Sequence, residues 1–157
     1  DTMVKTADVD IIEAETVCPG KYIVIITGEL SAVNASVEAA KTVHSMHLID
    51  SFVLGNPADE IFPAIYGASK VEIVNSLGII ETYDAAADQA AKTAEVSLIE
   101  IRLARGMCGK SYLLITGEVA AVEAAIARAQ KAVEPRGMYL DSSVIARPDK
   151  KLINQIL

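Results

Sequence analysis

The sequence predicts an α/β protein built from two tandem copies of one small unit. Three observations predict it: an internal repeat, an alternation of strand-sized apolar runs with alanine-rich helical stretches, and a composition suited to a packed core. Residues 5–13 (KTADVDIIE) return as residues 92–100 (KTAEVSLIE), with six of nine positions identical and two more conservatively changed. Gly20-Lys21 and Ile26-Thr27-Gly28-Glu29 return as Gly109-Lys110 and Ile115-Thr116-Gly117-Glu118. Asp50-Ser51 and Pro57 return as Asp141-Ser142 and Pro148. The offset grows from 87 to 89 to 91 residues, so two small insertions in the second copy account for the difference.

Each element of the second copy has its own signal. Residues 77–81 (LGIIE) form a short apolar strand, and the alanine-rich run 85–93 is a helix of good propensity and little bulk. A strand follows over 96–103, with Val96, Leu98 and Ile101 among its apolar residues. The continuous apolar run 111–116 reads as a strand buried on both faces. Gly117-Glu118 then turns the chain into a helix over 120–133, with Val122, Ala125, Ile126 and Ala129 at helical spacing. A carboxylate at that start suits the positive end of the helix dipole, and Glu29 repeats it. A last strand over 138–145 closes at Arg147-Pro148.

The first copy aligns from Asp1, opposite Asp88, without a counterpart of residues 76–87. A truncated or permuted start would explain this, and the open sheet edge it leaves argues for a longer natural chain. Residues 56–75 link the copies and hold an apolar-spaced helix at 61–66, echoed by Leu152, Ile153 and Ile156 at the end. The expected division is residues 1–72 and 73–157.

Composition bounds the function. The 157 residues are 52% hydrophobic and 22% charged, too apolar for disorder. A net charge of −7 lacks the basic footprint of a nucleic-acid or anionic-membrane binder. The longest apolar run, 22–26, is strand-sized, far from the roughly 18 residues of a bilayer span. Two cysteines cannot make a disulfide framework, so a reducing cytosol is expected.

The order of these signals resembles the bacterial microcompartment shell domain: LGIIE, a helix ending MVKTA or AAKTA, a valine strand, a G-K loop, an apolar strand and TGE. The resemblance spans essentially the whole chain, and the fused copies are similar to tandem-domain shell proteins. The loop Thr16-Val17-Cys18-Pro19-Gly20-Lys21, with a counterpart at 104–110 two residues longer, is most similar to the T-type group of propanediol-utilisation compartments. That resemblance implies an α/β sandwich per copy and a cyclic, pseudohexameric trimer tiling edge to edge in the shell of a cytoplasmic compartment. It places Val17, Cys18, Pro19 and Gly20, with Met107, Cys108 and Gly109, around a central pore. It places Lys5, Lys92 and Arg147 at tile edges; the first copy has Gly55-Asn56-Pro57 where the second has Arg147-Pro148, so one edge is made differently.

A lone cysteine is usually a buried small hydrophobe. Cys18 reads otherwise because three chains would bring three thiolates to one axis, and the resemblance implies a [4Fe-4S] cluster there with Cys18 as metal ligand. Pro19 restricts the loop, Gly20 lets amides approach cluster sulfurs, and Lys21 offsets charge, although its recurrence as Lys110 equally suits a structural role. Zinc with a fourth exogenous ligand is the competing metal. Cys108 aligns with Pro19 and reads as a plain thiol. His44 and His47 lack partners for a metal site and read as surface or interface residues, and no catalytic constellation stands out.

The leading reading is therefore a structural, non-enzymatic shell tile. Its partners are two further copies, other shell proteins and an encapsulated or cytosolic redox enzyme. Its cluster would conduct electrons across the shell, be exchanged, or gate the pore. The alternatives are a clusterless tile passing small metabolites and a dispersed ligand-binding regulator.

Overall fold

The computed structural model describes residues 1–71, 74–82, 90–92, 95–103 and 110–157. They form two compact units, Asp1–Asn56 and Pro57–Leu157. Unit 1 holds α1 (Thr2–Thr6), β1 (Asp10–Val17), β2 (Lys21–Thr27) and α2 (Leu30–Val43). Unit 2 holds α3 (Ile61–Ile65), β3 (Ser76–Thr82), β4 (Val96–Leu103), β5 (Ser111–Gly117), α4 (Val119–Val133), β6 (Tyr139–Ala146) and α5 (Lys150–Ile156). The segment after Asn56, including α3, packs within unit 2, so compact units and sequence copies differ over residues 57–72. Of the helix expected at 85–93, only residues 90–92 lie among those described, and Ala90 and Ala91 are helical.

Unit 2 is a four-stranded antiparallel sheet of order β4-β5-β3-β6. Pleat alternation sends Ile80, Leu98, Ile101, Leu113 and Ile115 to one face, where Val122, Ala125, Ile126, Ala129 and Val133 of α4 and Ile61 and Ala64 of α3 cover them. Leu77, Ile99 and Leu114 pack on the opposite face, with Val71 and Ile156 against them. The sheet is thus covered on both sides, which is why β5 needs a continuous apolar run rather than an alternating one. Each large aliphatic side chain sealed in this way contributes about 1.5–3 kcal/mol relative to exposure.

The repeated nine-residue motif has a structural meaning. In β4 the ladder to β5 slips between Leu98 and Glu100, so two residues face one. The bulge lets Leu98 and Ile101, three apart, share a face. Its amide is held from outside the sheet, Leu98 N donating to Glu60 Oε2 at 3.1 Å. The same slip falls between Ile11 and Glu13 where β1 pairs with β2. Unit 1 is otherwise lighter: its sheet is β1-β2, and α2 buries only Ser36 and Val37. Buried Ser36 ties α2 to α1, its Oγ donating to Met3 O at 2.9 Å.

Candidate metal centre at the first hairpin

β1 and β2 form an antiparallel hairpin whose last pair is Val17 and Lys21, leaving Cys18, Pro19 and Gly20 as its tip. Val17 is buried and anchors the tip, whereas the next three residues are exposed. The Cys18–Pro19 peptide is cis. Gly20 has φ +89°, a left-handed conformation that L side chains rarely adopt, and a Cβ there would meet nothing within 4 Å. Glycine is therefore required by the backbone turn and not by a close neighbour. Gly20 N donates to Val17 O at 3.0 Å, so this amide closes the hairpin. The outcome is a free thiol presented to solvent on a tight hairpin.

One chain offers this thiol little company. Among the described residues no three His, Cys, Asp or Glu side chains gather closely enough to hold a metal ion. Met107, Cys108 and Gly109, expected beside the pore, lie outside the described residues.

Lys21 and Lys110, equivalent in the repeat, have different surroundings. Lys110 Nζ lies 3.2 Å from Glu81 Oε1 on β3, an ion pair that is about one-third exposed. Lys21 has no side-chain hydrogen bond or ion pair among the described residues. Glu29 and Glu118 stand at the helix starts as expected, yet neither side chain caps its helix. Glu118 Oε1 instead accepts from Asn75 Nδ2 at 2.7 Å.

The expected edge residues are exposed. Lys5 pairs with Asp1 at 2.7 Å in the only turn of α1, and Lys92 lies near the start of β4. Arg147 has φ +51°, rare for a residue with a Cβ, and its N donates to Asn75 O at 3.0 Å. Asn56, its equivalent by the 91-residue offset, has φ 53°. Both precede proline, so the two copies share a left-handed corner beneath different side chains. His44 caps the end of α2 with Nε2 3.4 Å from Thr2 Oγ1.

One polar cluster was not anticipated. Tyr112 OH donates to Glu100 Oε2 at 2.7 Å, Arg102 Nη2 lies 2.6 Å from Glu100 Oε1, and the guanidinium sits 5.3 Å from the Tyr112 ring centroid. Burial, then the hydrogen bond and negative charge of Glu100, pushes the Tyr112 phenol up to about 12. Alternation placed these three on one face of adjacent strands, but their register depends on the bulge at Leu98–Glu100.

Known proteins resemble this chain over its whole length. The bacterial microcompartment (BMC) domain family matches residues 1–57 and 76–148. The bacterial microcompartment shell protein PduT of Citrobacter freundii is 32% identical over 162 residues, spanning 100% of this chain and 88% of its own. The crystal structure of a microcompartment protein from Desulfitobacterium hafniense matches with a TM-score of 0.92 and 43% identity, covering 98% of this chain and 88% of that one. A fused, permuted hexameric shell protein of the RMM microcompartment shares the fold, with a TM-score of 0.61 and 22% identity over 86% of this chain and 75% of its own.

Proposed function

The chain belongs to the BMC-domain shell proteins, and from that premise we propose that it is a tandem-domain tile whose trimer gathers one Cys18 per chain around a [4Fe-4S] cluster. Membership makes it a structural component of a microcompartment shell and not an enzyme. Among the described residues no helix is long and apolar enough to cross a membrane. In this reading residues 1–72 and 73–157 are the two shell domains, and three chains supply six of them in a pseudohexamer. Other shell proteins meet its edges.

The observation that carries the cluster is the position of Cys18. An exposed thiol on a tight hairpin tip is suited to meeting its symmetry mates, and its own chain supplies no competing ligand set among the described residues. The residues fit the group as donors: thiolates select iron–sulfur centres, and three of them leave one position for a non-cysteine ligand. When bound, such a cluster supplies one-electron transfer, so that a redox partner inside or outside the shell exchanges electrons without exchanging cofactors. Pro19 and Gly20 hold the thiol in place, and buried Val17 fixes the hairpin beneath it. Lys21, next along β2, adds positive charge near a thiolate-rich site. Exchange of the cluster or redox gating of a pore would use the same residues.

Anaerobic purification of the native chain and of Cys18→Ser tests this, with iron, acid-labile sulfide and particle mass measured together. The native protein is expected to hold about four irons and four sulfides per three chains, as the cluster stoichiometry demands. Cys18→Ser is expected to lose both, and the low-temperature paramagnetic signal, while keeping its mass. Zinc without sulfide would identify a three-thiolate zinc site. A metal-free native trimer would leave a clusterless tile with a central pore, and iron unchanged in Cys18→Ser would sink the assignment.

A further inference from the structure

Arg147 is an exposed residue at φ +51°, a backbone conformation that side chains with a Cβ rarely adopt. Such a corner persists only where its surroundings over-determine it, and unit 2 fixes it on both sides. The β3–β6 ladder ends at Ser76 opposite Ala146, and the 3.0 Å bond from Arg147 N to Asn75 O carries it one residue further. Beyond the corner Pro148 is buried, and Asp149 Oδ1 accepts from Lys151 N at 2.8 Å to start α5.

The acceptor of that bond is itself tied down. Asn75 Nδ2 donates to Glu118 Oε1 at 2.7 Å. Ser76, fully buried, donates from Oγ to Gly117 O at 2.7 Å, and its own O accepts from Thr116 Oγ1 at 2.8 Å. Gly117 is seated in turn against the start of β4, since a Cβ there would lie 2.9 Å from Glu95 O. Ser76 and Thr116 are buried and belong to the packing of the sheet, whereas Asn75 and Glu118 are exposed and their bond lies outside the core. What that bond does reach is the Arg147 amide, through the carbonyl of the same asparagine.

We propose that Asn75 is a positioning residue for Arg147. Clamped by Glu118, it fixes the strained corner so that the guanidinium stands at a set place on the tile edge, with its donors turned to acceptor oxygens of a neighbouring tile. A loose corner would have to be ordered anew at every contact, whereas a fixed one arrives already ordered. Asn56, at the equivalent corner with φ 53°, needs no such clamp, because asparagine adopts left-handed backbone readily. This inference rests on the tile reading and is independent of the cluster.

The test compares the native chain with Arg147→Ala, Asn75→Asp and the double variant Asn75→Asp/Glu118→Gln. Particle mass, hydrogen exchange of the Arg147 amide and the protein concentration at which flat sheets appear in electron micrographs are measured on each. Asn75→Asp sets two carboxylates side by side, and adding Glu118→Gln restores one donor and one acceptor with their roles exchanged. Asn75→Asp is expected to keep the native mass, while amide exchange and the sheet threshold both rise about fivefold or more, the change that loss of one hydrogen bond brings. The double variant should return both to native values. Sheets lost in Arg147→Ala but formed by Asn75→Asp at the native threshold would overturn this proposal alone, as would a raised threshold with unchanged amide exchange or a double variant that fails to recover. Sheets absent from the native protein, or unchanged in Arg147→Ala, would instead strike the edge reading and take the proposal with it.

Discussion

Gly78→Ala tests the packing of the larger unit at its tightest point. The new Cβ would lie 2.5 Å from Val122 Cγ1 and 2.9 Å from Ile115 Cγ1, well inside the roughly 3.5–4.0 Å of ordinary carbon contact. Val122 and Ile115 are both 0% exposed, so neither side chain can swing into solvent. About an ångström of separation between α4 and the sheet is needed to relieve the clash, at the roughly 1–3 kcal/mol typical of overpacking. Alanine recovers about 0.5–1 kcal/mol of strand propensity over glycine, which leaves a net loss of about 1–2 kcal/mol. With a urea m-value of about 2 kcal/mol/M, the midpoint for unit 2 should fall by about 0.5–1 M. Removing the obstacle sharpens the test: Val122→Ala alone opens a cavity, yet it should cost less in the Gly78→Ala background, so the pair is non-additive. A midpoint that rises in Gly78→Ala, or strict additivity in the double variant, would refute the close approach.

Three further outcomes are expected. Spectrophotometric titration should reveal a phenol ionising near pH 12 that is absent in Tyr112→Phe and moves back toward 10 in Glu100→Gln. Because the folded value lies above the unfolded one, this group's contribution to stability is present below pH 10 and is lost as pH rises from 10 through 12. At Arg147, with φ +51°, glycine avoids a left-handed penalty of about 1–2 kcal/mol that alanine shares with arginine, so Arg147→Gly should melt several degrees above Arg147→Ala. If Lys92 and Arg147 join tiles, Lys92→Ala and both Arg147 variants should lose flat sheets in electron micrographs while keeping the particle mass of the native assembly.

Much of this architecture was legible because it depends on local composition. The strands at 77–81 and 111–116 announce themselves as apolar runs, and β5 is continuous because both of its faces are covered. Features that depend on register were not legible. The bulge at Leu98–Glu100 changes which residues share a face, and only the ladder to β5 reveals it, although its repetition at Ile11–Glu13 was visible as sequence identity without a meaning. The allegiance of α3 was hidden for a similar reason: Ile61 and Ala64 are apolar in either unit, and packing alone assigns them to unit 2. At the candidate site, Cys18 stood out through the resemblance and the trimer it implies, not through its own chemistry, since a lone cysteine reads first as a buried small hydrophobe, and its exposure is seen only in the fold. The engaged amide of Gly20 could not be read, because a positive φ and a hairpin hydrogen bond leave no mark beyond the glycine itself.

The duplication separates what the backbone must do from what the side chains are free to do. Asn56 and Arg147 occupy the same left-handed corner before a proline, yet asparagine adopts that conformation readily and arginine does not. Arginine at the second corner is thus retained against a backbone cost, which points to a use for its side chain that the first corner does not share. The same reasoning applies to the hairpin tips. A single repeated domain in a six-fold ring would present six identical thiols around its axis, more than a four-iron cluster can use. Fusing two copies lets the two loops differ: Cys18 stands in the first, giving three equivalent thiols in a trimer, while Cys108 in the second aligns with Pro19 and so is not equivalent to it. In the proposed trimer the fusion therefore makes the Cys18 position threefold instead of sixfold, and Cys108→Ser, which removes the inequivalent thiol, should leave cluster loading unchanged.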